Sequence, residues 1–353
     1  MARGATDFAR ALIDWQRTQG RHGLPWQQTR DPYRVWVSEI MLQQTQVATV
    51  LGYYERFLQR FADLPTLAAA PLEAVLQCWA GLGYYARARL LHRCAQVLMA
   101  EHAGRFPDSA AALERLPGIG ASTAAAIAAF CFDERAAILD ANVKRVLARR
   151  YAIEGPLQQP AVLARLWEHA RALLPPAADM GAYTQAIMDL GATVCTRTRP
   201  RCEQCPVSAD CLAQRQGRAA ELPLRVARAA RPLRRAHLLV ARHRGAVLVE
   251  QRAATGVWGG LLSLPQFPSR AALGRAARAL GPGAPQALAE RRHGFTHFTL
   301  AYTAHLLELH GARPPASGAQ RWLPLRLAAG AALPAPVRAL LGELARGTAT
   351  DIR

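Results

Sequence analysis

Cys195, Cys202, Cys205 and Cys211 are separated by six, two and five residues, which places four sulfurs within seventeen positions near the middle of a 353-residue chain. Four thiolates gathered in so short a loop can close around a tetrahedral zinc or an iron–sulfur cluster at small loop-closure cost. A disulfide pair is the competing arrangement. It is disfavoured because residues 1–20 show no basic-then-apolar signal pattern and the cysteine total, seven, is odd, which together point to a reducing cytoplasm. Cys78, Cys94 and Cys131 sit in apolar helical stretches and read as core. Zinc sites usually pair two tight knuckles, whereas this loop has one close pair, Cys202 and Cys205, flanked by lone cysteines; the spacing favours iron–sulfur over zinc. Arg197, Arg199 and Arg201 lie between the first two cysteines, so a metal-braced loop would present guanidinium groups to phosphates.

The chain is long enough for two domains, and no apolar run reaches the length of a membrane span, so a soluble cytoplasmic protein is expected. The net charge is +19, unevenly spread: residues 1–217 carry 24 basic and 19 acidic groups, residues 218–353 carry 20 and 6. A general drift toward arginine explains part of this excess, since all but one of the 44 basic residues are Arg. The imbalance still points to a polyanionic partner.

Arg215 to Arg235 holds seven arginines against one glutamate, with Pro223 and Pro232 and little apolar periodicity, and reads as a basic interdomain linker, taken as 218–235. Upstream, amphipathic Ala-rich segments (Pro71 to Trp79, Ala86 to Ala100, Ala161 to Leu174) predict an all-α region, 1–217. Downstream, the β-prone runs His237 to Ala241, Ala246 to Gln251 and Phe295 to Leu307, interrupted by a helix over Ser269 to Leu280, predict an α+β domain, 236–353.

Leu116-Pro-Gly-Ile-Gly120-Ala-Ser122 joins a short helix to the helical run Ala121 to Phe130. Gly118 and Gly120 permit backbone conformations closed to other residues and bring amide N–H groups to an anion at the next helix's N-terminus. Together with Asp140 in Ile-Leu-Asp-Ala-Asn-Val-Lys-Arg and the cysteine loop, the string resembles the helix-hairpin-helix signature of the endonuclease III superfamily of DNA repair glycosylases. Leu24-Pro-Trp26, Val35 to Gln46 and Gly81-Leu-Gly-Tyr-Tyr85 narrow the resemblance to the MutY-type adenine DNA glycosylases, over nearly the whole chain. The resemblance implies a six-helix part at about 30–137, a cluster part formed by 1–29 and 138–217, and a 4Fe-4S cluster on the four cysteines. It also implies removal of adenine, flipped out of duplex DNA, from opposite 8-oxoguanine or guanine. A monomer associated with the nucleoid is expected.

Breaking the bond to adenine requires a general acid and a group that stabilises an oxocarbenium-like sugar, and two carboxylates can serve. Glu39 lies in the apolar stretch Val35 to Leu42, where desolvation would raise its pKa and keep it protonated. The resemblance assigns it protonation of adenine N7. Asp140 would stay ionised and stabilise C1′, with Asn142 as its hydrogen-bonding partner; a helix cap is the competing role for Asp140. Bifunctional relatives place a lysine nucleophile where this chain has Ser122. Lys144, the only lysine, reads as a phosphate contact, so an intact abasic site is the expected product.

By the same resemblance, Gln43 and Gln44 form a minor-groove wedge, with Gln44 inserted into the gap left by the flipped base. Tyr84 would stack beside the base opposite adenine. Leu24, Trp26, Gln185 and Met188 match positions lining the adenine pocket, and the Gln185 amide suits a base edge.

Residues 236–345 resemble the Nudix-like domain of the same family, most clearly at Gly256-Val-Trp-Gly-Gly-Leu-Leu-Ser-Leu-Pro265. Between Gln266 and Ala289 there is no Asp or Glu, so a magnesium-dependent Nudix hydrolase is excluded. Phe295, Thr296 and His297 fall where the family reads 8-oxoguanine through Phe-Ser-His, with Thr296 replacing serine. Two competing functions remain: a bifunctional endonuclease III-like pyrimidine glycosylase and lyase, which the absence of lysine at 122 opposes, and a noncatalytic iron–sulfur DNA-binding protein, which Glu39 and Asp140 oppose.

Overall fold

The computed structural model describes residues 2–224 and 230–347, with side chains from residue 7. The chain divides into two compact units. The first, residues 1–69 and 90–227, is helical; the second combines residues 70–89 with 228–353. The sequence patterns had placed 70–89 with the helical region. The segment reaches its C-terminal partners through side chains rather than through any local pattern: Glu73 pairs with Arg321, Arg89 donates to Gly259 O (2.6 Å) and Arg338 to Ala80 O (3.3 Å).

In the helical unit, the helix Pro32–Leu42 starts where Asp31 accepts a hydrogen bond from Tyr33 N (3.0 Å) and Pro32 supplies a preset φ at the first position. It buries Val35, Trp36, Val37, Ile40 and Met41 against the Ala-rich helix Ala121–Phe132, whose Ala124 to Ala129 are all buried. Small side chains there allow close approach of neighbouring backbones. A second core joins Phe8, Leu12, Leu139, Leu147, Leu166, Ile187 and Leu190. The helix Met180–Asp189 runs on through a wide π turn, Leu190–Val194, and delivers the chain to Cys195. Gly191 lies against the helix Ala141–Arg150: a Cβ there would come 2.6 Å from Asn142 Cβ.

The basic stretch expected as a linker is packed at its start. Arg218 bridges Glu154 (2.7 Å) and Glu221 (3.3 Å), and Leu222 is buried with its carbonyl accepting from Arg149 (2.8 Å). Residues 225–229 of that stretch lie outside the described residues.

The second unit is built on an eight-stranded sheet. Its strands are β1 (Leu233–His243), β2 (Ala246–Gln251), β3 (Leu262–Ser263), β4 (Gln266–Phe267), β5 (Gln286–Ala287), β6 (Arg291–Gly294), β7 (Thr299–Glu308) and β8 (Gln320–Pro324). The order β3-β2-β1-β7-β5 forms the spine; β4 joins β1, β6 joins β7 and β8 joins β2. Only β1 and β7 pair in parallel, from Leu233 opposite Thr299 to Arg242 opposite Glu308. The helix Arg270–Leu280, capped by Ser269, covers Leu239, Leu248 and Leu307 with its Leu273 and Ala277. The strand expected from Phe295 begins four residues later, because residues 295–298 form the turn between β6 and β7.

Candidate active site and cysteine centre

The helices of the first unit enclose a cavity of about 900 Å3. Leu24, Trp26, Glu39, Gln43, Ser122, Asp140, Asn142, Gln185 and Met188 all line it, although Leu24 and Met188 are 164 residues apart in sequence. Glu39 projects from the helix Pro32–Leu42. Burial raises its pKa to about 7, and the neighbouring Asp140 charge pushes the same way. Asp140 caps the helix Ala141–Arg150, its Oδ1 accepting from Val143 N (2.7 Å) and its Oδ2 from Asn142 Nδ2 (3.3 Å). Burial raises the Asp140 pKa above the ordinary value, opposed by the amides of Val143 and Asn142 and the Arg145 charge. Cap and anion are therefore compatible roles for Asp140, since the amides that end the helix are those that favour its carboxylate.

The Oγ of Ser122 accepts from Leu139 N (3.0 Å), holding the segment that leads into Asp140. Gln43 Nε2 donates to Thr123 Oγ1 (3.3 Å) at the cavity wall. Gln44 lies two residues beyond the end of the helix Pro32–Leu42 with φ 58°, a left-handed conformation costly for a side chain of this kind and common at functional sites. Gly118 has φ 79°, and a Cβ there would strike Leu90 Cβ at 2.7 Å, so the turn requires glycine. Gly120 does not meet the same expectation: its φ is −93°, open to any residue, and the space around it is empty. Leu116 is buried, so only its backbone is available to a phosphate. Lys144 is half-buried and outside the cavity lining, while Arg197, Arg199 and Arg201 are exposed, Arg201 donating to Thr193 O.

Two residues that sequence reasoning missed organise the cavity. Asp189, fully buried, bridges Arg21 (2.6 Å), accepts from Arg21 N (2.8 Å) and receives Gln185 Nε2 (2.8 Å). The i, i+4 spacing of Gln185 and Asp189 on one helix was the available signal; Arg21, 168 residues away, carried none. Arg145 donates to Asn142 Oδ1 (2.8 Å), Gly191 O (2.6 Å) and Cys195 O (2.7 Å), fastening the helix Ala141–Arg150 to the cysteine loop.

The four cysteines line one small cavity of about 30 Å3 together with Arg149. The buried guanidinium of Arg149 donates to Cys195 Sγ (3.2 Å) and to Thr196 O (2.7 Å). Burial pushes the Cys205 thiol up to about 12 and raises the Cys211 thiol as well, opposed by the amide of Val207 at Cys205 and by those of Gln214 and Ala213 at Cys211. Donors directed at sulfur in this way fit bound thiolates. Among the described residues no three His, Cys, Asp or Glu side chains converge on a single ion position.

In the second unit, Tyr84 is 47% exposed with φ 48°, and its Oη lies 3.3 Å from Thr296 Oγ1. Arg87 sits over the Tyr84 ring, 5.5 Å from its centroid. Thr296 and His297 are exposed, and Phe295 is half-buried. No described helix is long and apolar enough to cross a membrane.

Residues 37–171 match the HhH-GPD superfamily of base excision DNA repair proteins, and residues 236–343 match the NUDIX domain. An adenine DNA glycosylase of Buchnera aphidicola subsp. Baizongia pistaciae is 37% identical over 74% of this chain and 74% of its own length. Another, from Buchnera aphidicola subsp. Acyrthosiphon pisum, is 32% identical over 86% of this chain and 87% of its own. Among solved structures, a thermostable thymine-DNA glycosylase aligns with a TM-score of 0.55 at 28% identity, covering 61% of this chain and 98% of that one. The fold is thus a helix-hairpin-helix DNA glycosylase joined to a Nudix-like domain. The chain belongs to the adenine DNA glycosylase family.

Proposed function

We propose that the chain excises adenine from duplex DNA where it is mispaired with 8-oxoguanine or guanine, and leaves an abasic site. The observation that carries this reading is the pairing of Glu39, held near pKa 7, with the capping carboxylate Asp140 in one cavity large enough for a purine. Glu39 donates its proton to adenine N7; the C1′–N9 bond then breaks with its electron pair leaving on the neutral base. Asp140 stabilises the cationic sugar by charge or by a transient bond to C1′. Water adds at C1′ and gives its proton to the carboxylate left on Glu39. No amine lies in the cavity lining to trap the sugar, and Ser122 stands where a lyase needs lysine.

The cysteine centre holds a 4Fe-4S cluster in this reading, which would brace the Arg197 to Arg201 loop against the DNA backbone. Gln44 fills the gap left by the flipped adenine. Tyr84 and the Phe295 to His297 turn, within the second unit, contact the base opposite adenine. The test is incubation with duplexes bearing adenine opposite 8-oxoguanine, guanine or thymine. Alkali-labile sites at adenine in the first two are expected. Their absence there, or strand cleavage without alkali, rejects the assignment.

A further inference from the structure

The turn that carries Thr296 and His297 is closed by Phe295 N donating to Phe298 O (2.8 Å), with Gly294 and Thr299 paired beneath it. Its tip is therefore two residues long. Two-residue hairpins favour turns with positive φ at the first central position or at both, because that twist matches the flanking strands. Neither Thr296 nor His297 has a positive φ. Something other than turn chemistry must hold this tip.

A continuous row of side chains lies directly behind it. Phe295 and Phe298 stack at 4.5 Å and 18°, pinching the two ends of the turn together. Arg234 covers the far side of Phe298 at 4.4 Å. On the other side His293 meets Phe295 edge-on at 4.8 Å, and Trp258 reaches both, with ring centroids 5.7 Å from Phe295 and 6.2 Å from His293. Burial in the row lowers the His293 pKa. Trp258 is the informative member. It is 6% exposed and has φ 56°, in a turn where Gly256 and Gly260 also take positive φ. Glycine would occupy that backbone without strain, and a bulky aromatic is the costly choice. The compensation visible in the structure is the indole's contact with the rings under the tip.

We propose that Trp258 and Phe298, with His293 and Arg234 completing the row, are positioning residues that set the pose of Thr296 and His297 and so the preference for the base opposite adenine. This rests on the reading that the tip contacts that base. Tyr84 marks the outcome of the pose, since Thr296 Oγ1 stands 3.3 Å from its hydroxyl. A tip allowed to rock by an ångström loses that register before it loses the fold.

The experiment uses the full chain and single-turnover adenine release from duplexes with 8-oxoguanine or guanine opposite, read as the ratio of the two rates. Trp258→Gly, which relieves the backbone and deletes the ring, and Phe298→Leu should each lower the ratio about tenfold, the scale of one aromatic pair. Trp258→Phe should restore most of it. A Thr296→Ala/His297→Ala double variant separates the two layers of the argument. If the double variant loses the ratio while Trp258→Gly and Phe298→Leu keep it, the positioning role is wrong and the tip still reads. If the double variant also keeps it, the tip does not read the base and both fall. Equal collapse of the two rates in Trp258→Gly, not repaired by phenylalanine, would make the row a folding element only.

Discussion

Gln185 donates through Nε2 to Oδ1 of Asp189 at 2.8 Å, and Asp189 is held in turn by Arg21. A carboxylate can only accept, so this contact settles which way the Gln185 amide points. One of its two N–H groups is engaged there, and the carbonyl Oε1 remains an acceptor on a residue that lines the cavity. Such an acceptor suits the exocyclic amino group of adenine.

Gln185→Leu keeps the bulk and deletes the acceptor, and adenine release should slow about tenfold or more, as for a hydrogen bond made to the departing base. Asp189→Asn should do this and also weaken the helical unit, because it leaves the Arg21 charge unpaired against a buried site, a loss of about 3 kcal/mol. Thermal unfolding separates the two: Gln185→Leu should leave the midpoint in place. An unchanged rate in Gln185→Leu would remove Gln185 from base recognition.

Glu39 must carry a proton to act, and its pKa of about 7 places the loss of that proton within the accessible range. Single-turnover excision should fall about tenfold per unit above pH 7, because the acid form of Glu39 is depleted as pH rises, and should fall again at acidic pH as Asp140, whose pKa burial raises, takes up a proton. Glu39→Gln should bind the mismatched duplex normally and release adenine about a thousandfold more slowly. A rate that stays level to pH 9 in the wild type would transfer the acid role elsewhere.

For Asp140 the structure makes one substitution unusually clean. Asparagine caps helices as well as aspartate does, so Asp140→Asn should preserve the start of the helix Ala141–Arg150 and the protein's stability. Its excision rate should nevertheless drop by about a hundredfold or more from loss of charge beside C1′. Asp140→Ala should lose the chemistry and about 1 kcal/mol of stability as well. Equal activity in the asparagine variant and wild type would leave Asp140 as a cap.

The purified protein should be brown and contain iron and acid-labile sulfide. Cys202→Ala should lose colour and affinity for DNA before it loses helical circular dichroism, because the small core of Ala213, Ala219 and Leu222 that packs on Cys202 and Cys211 is separate from the main one. Colourless protein holding one zinc would replace the cluster assignment.

Much of this architecture was legible in local pattern. Asp31-Pro32 starts a helix by cap and preset φ, Pro117 to Gly120 turns between two helices, and the short apolar run of β2 reads directly from Ala246 to Val249. The cavity residues came from motif spacing, yet their meeting place did not. Arg21 reaches Asp189, and Arg145 reaches Cys195, by contacts between distant segments, which no periodicity records. Gly120 read as a conformational requirement and is not one, since a glycine is also compatible with ordinary extended backbone. Trp258 gave no sign of its left-handed backbone, because propensity argues against a bulky residue there and only tertiary contact overrides it.

Ala70 to Arg89 belongs to the same compact unit as the C-terminal sheet, although some 140 residues of helical chain intervene. The boundary at which the sequence could be cut is therefore not the boundary of the folded body. Grafting residues 228–353 of a relative onto this chain would bring in a new partner for Glu73, Arg89 and Tyr84 at once, and those three would have to change with it. In evolution the same linkage ties the drift of one short early segment to that of a domain encoded far downstream, so exchange between family members is expected to succeed only when both pieces travel together.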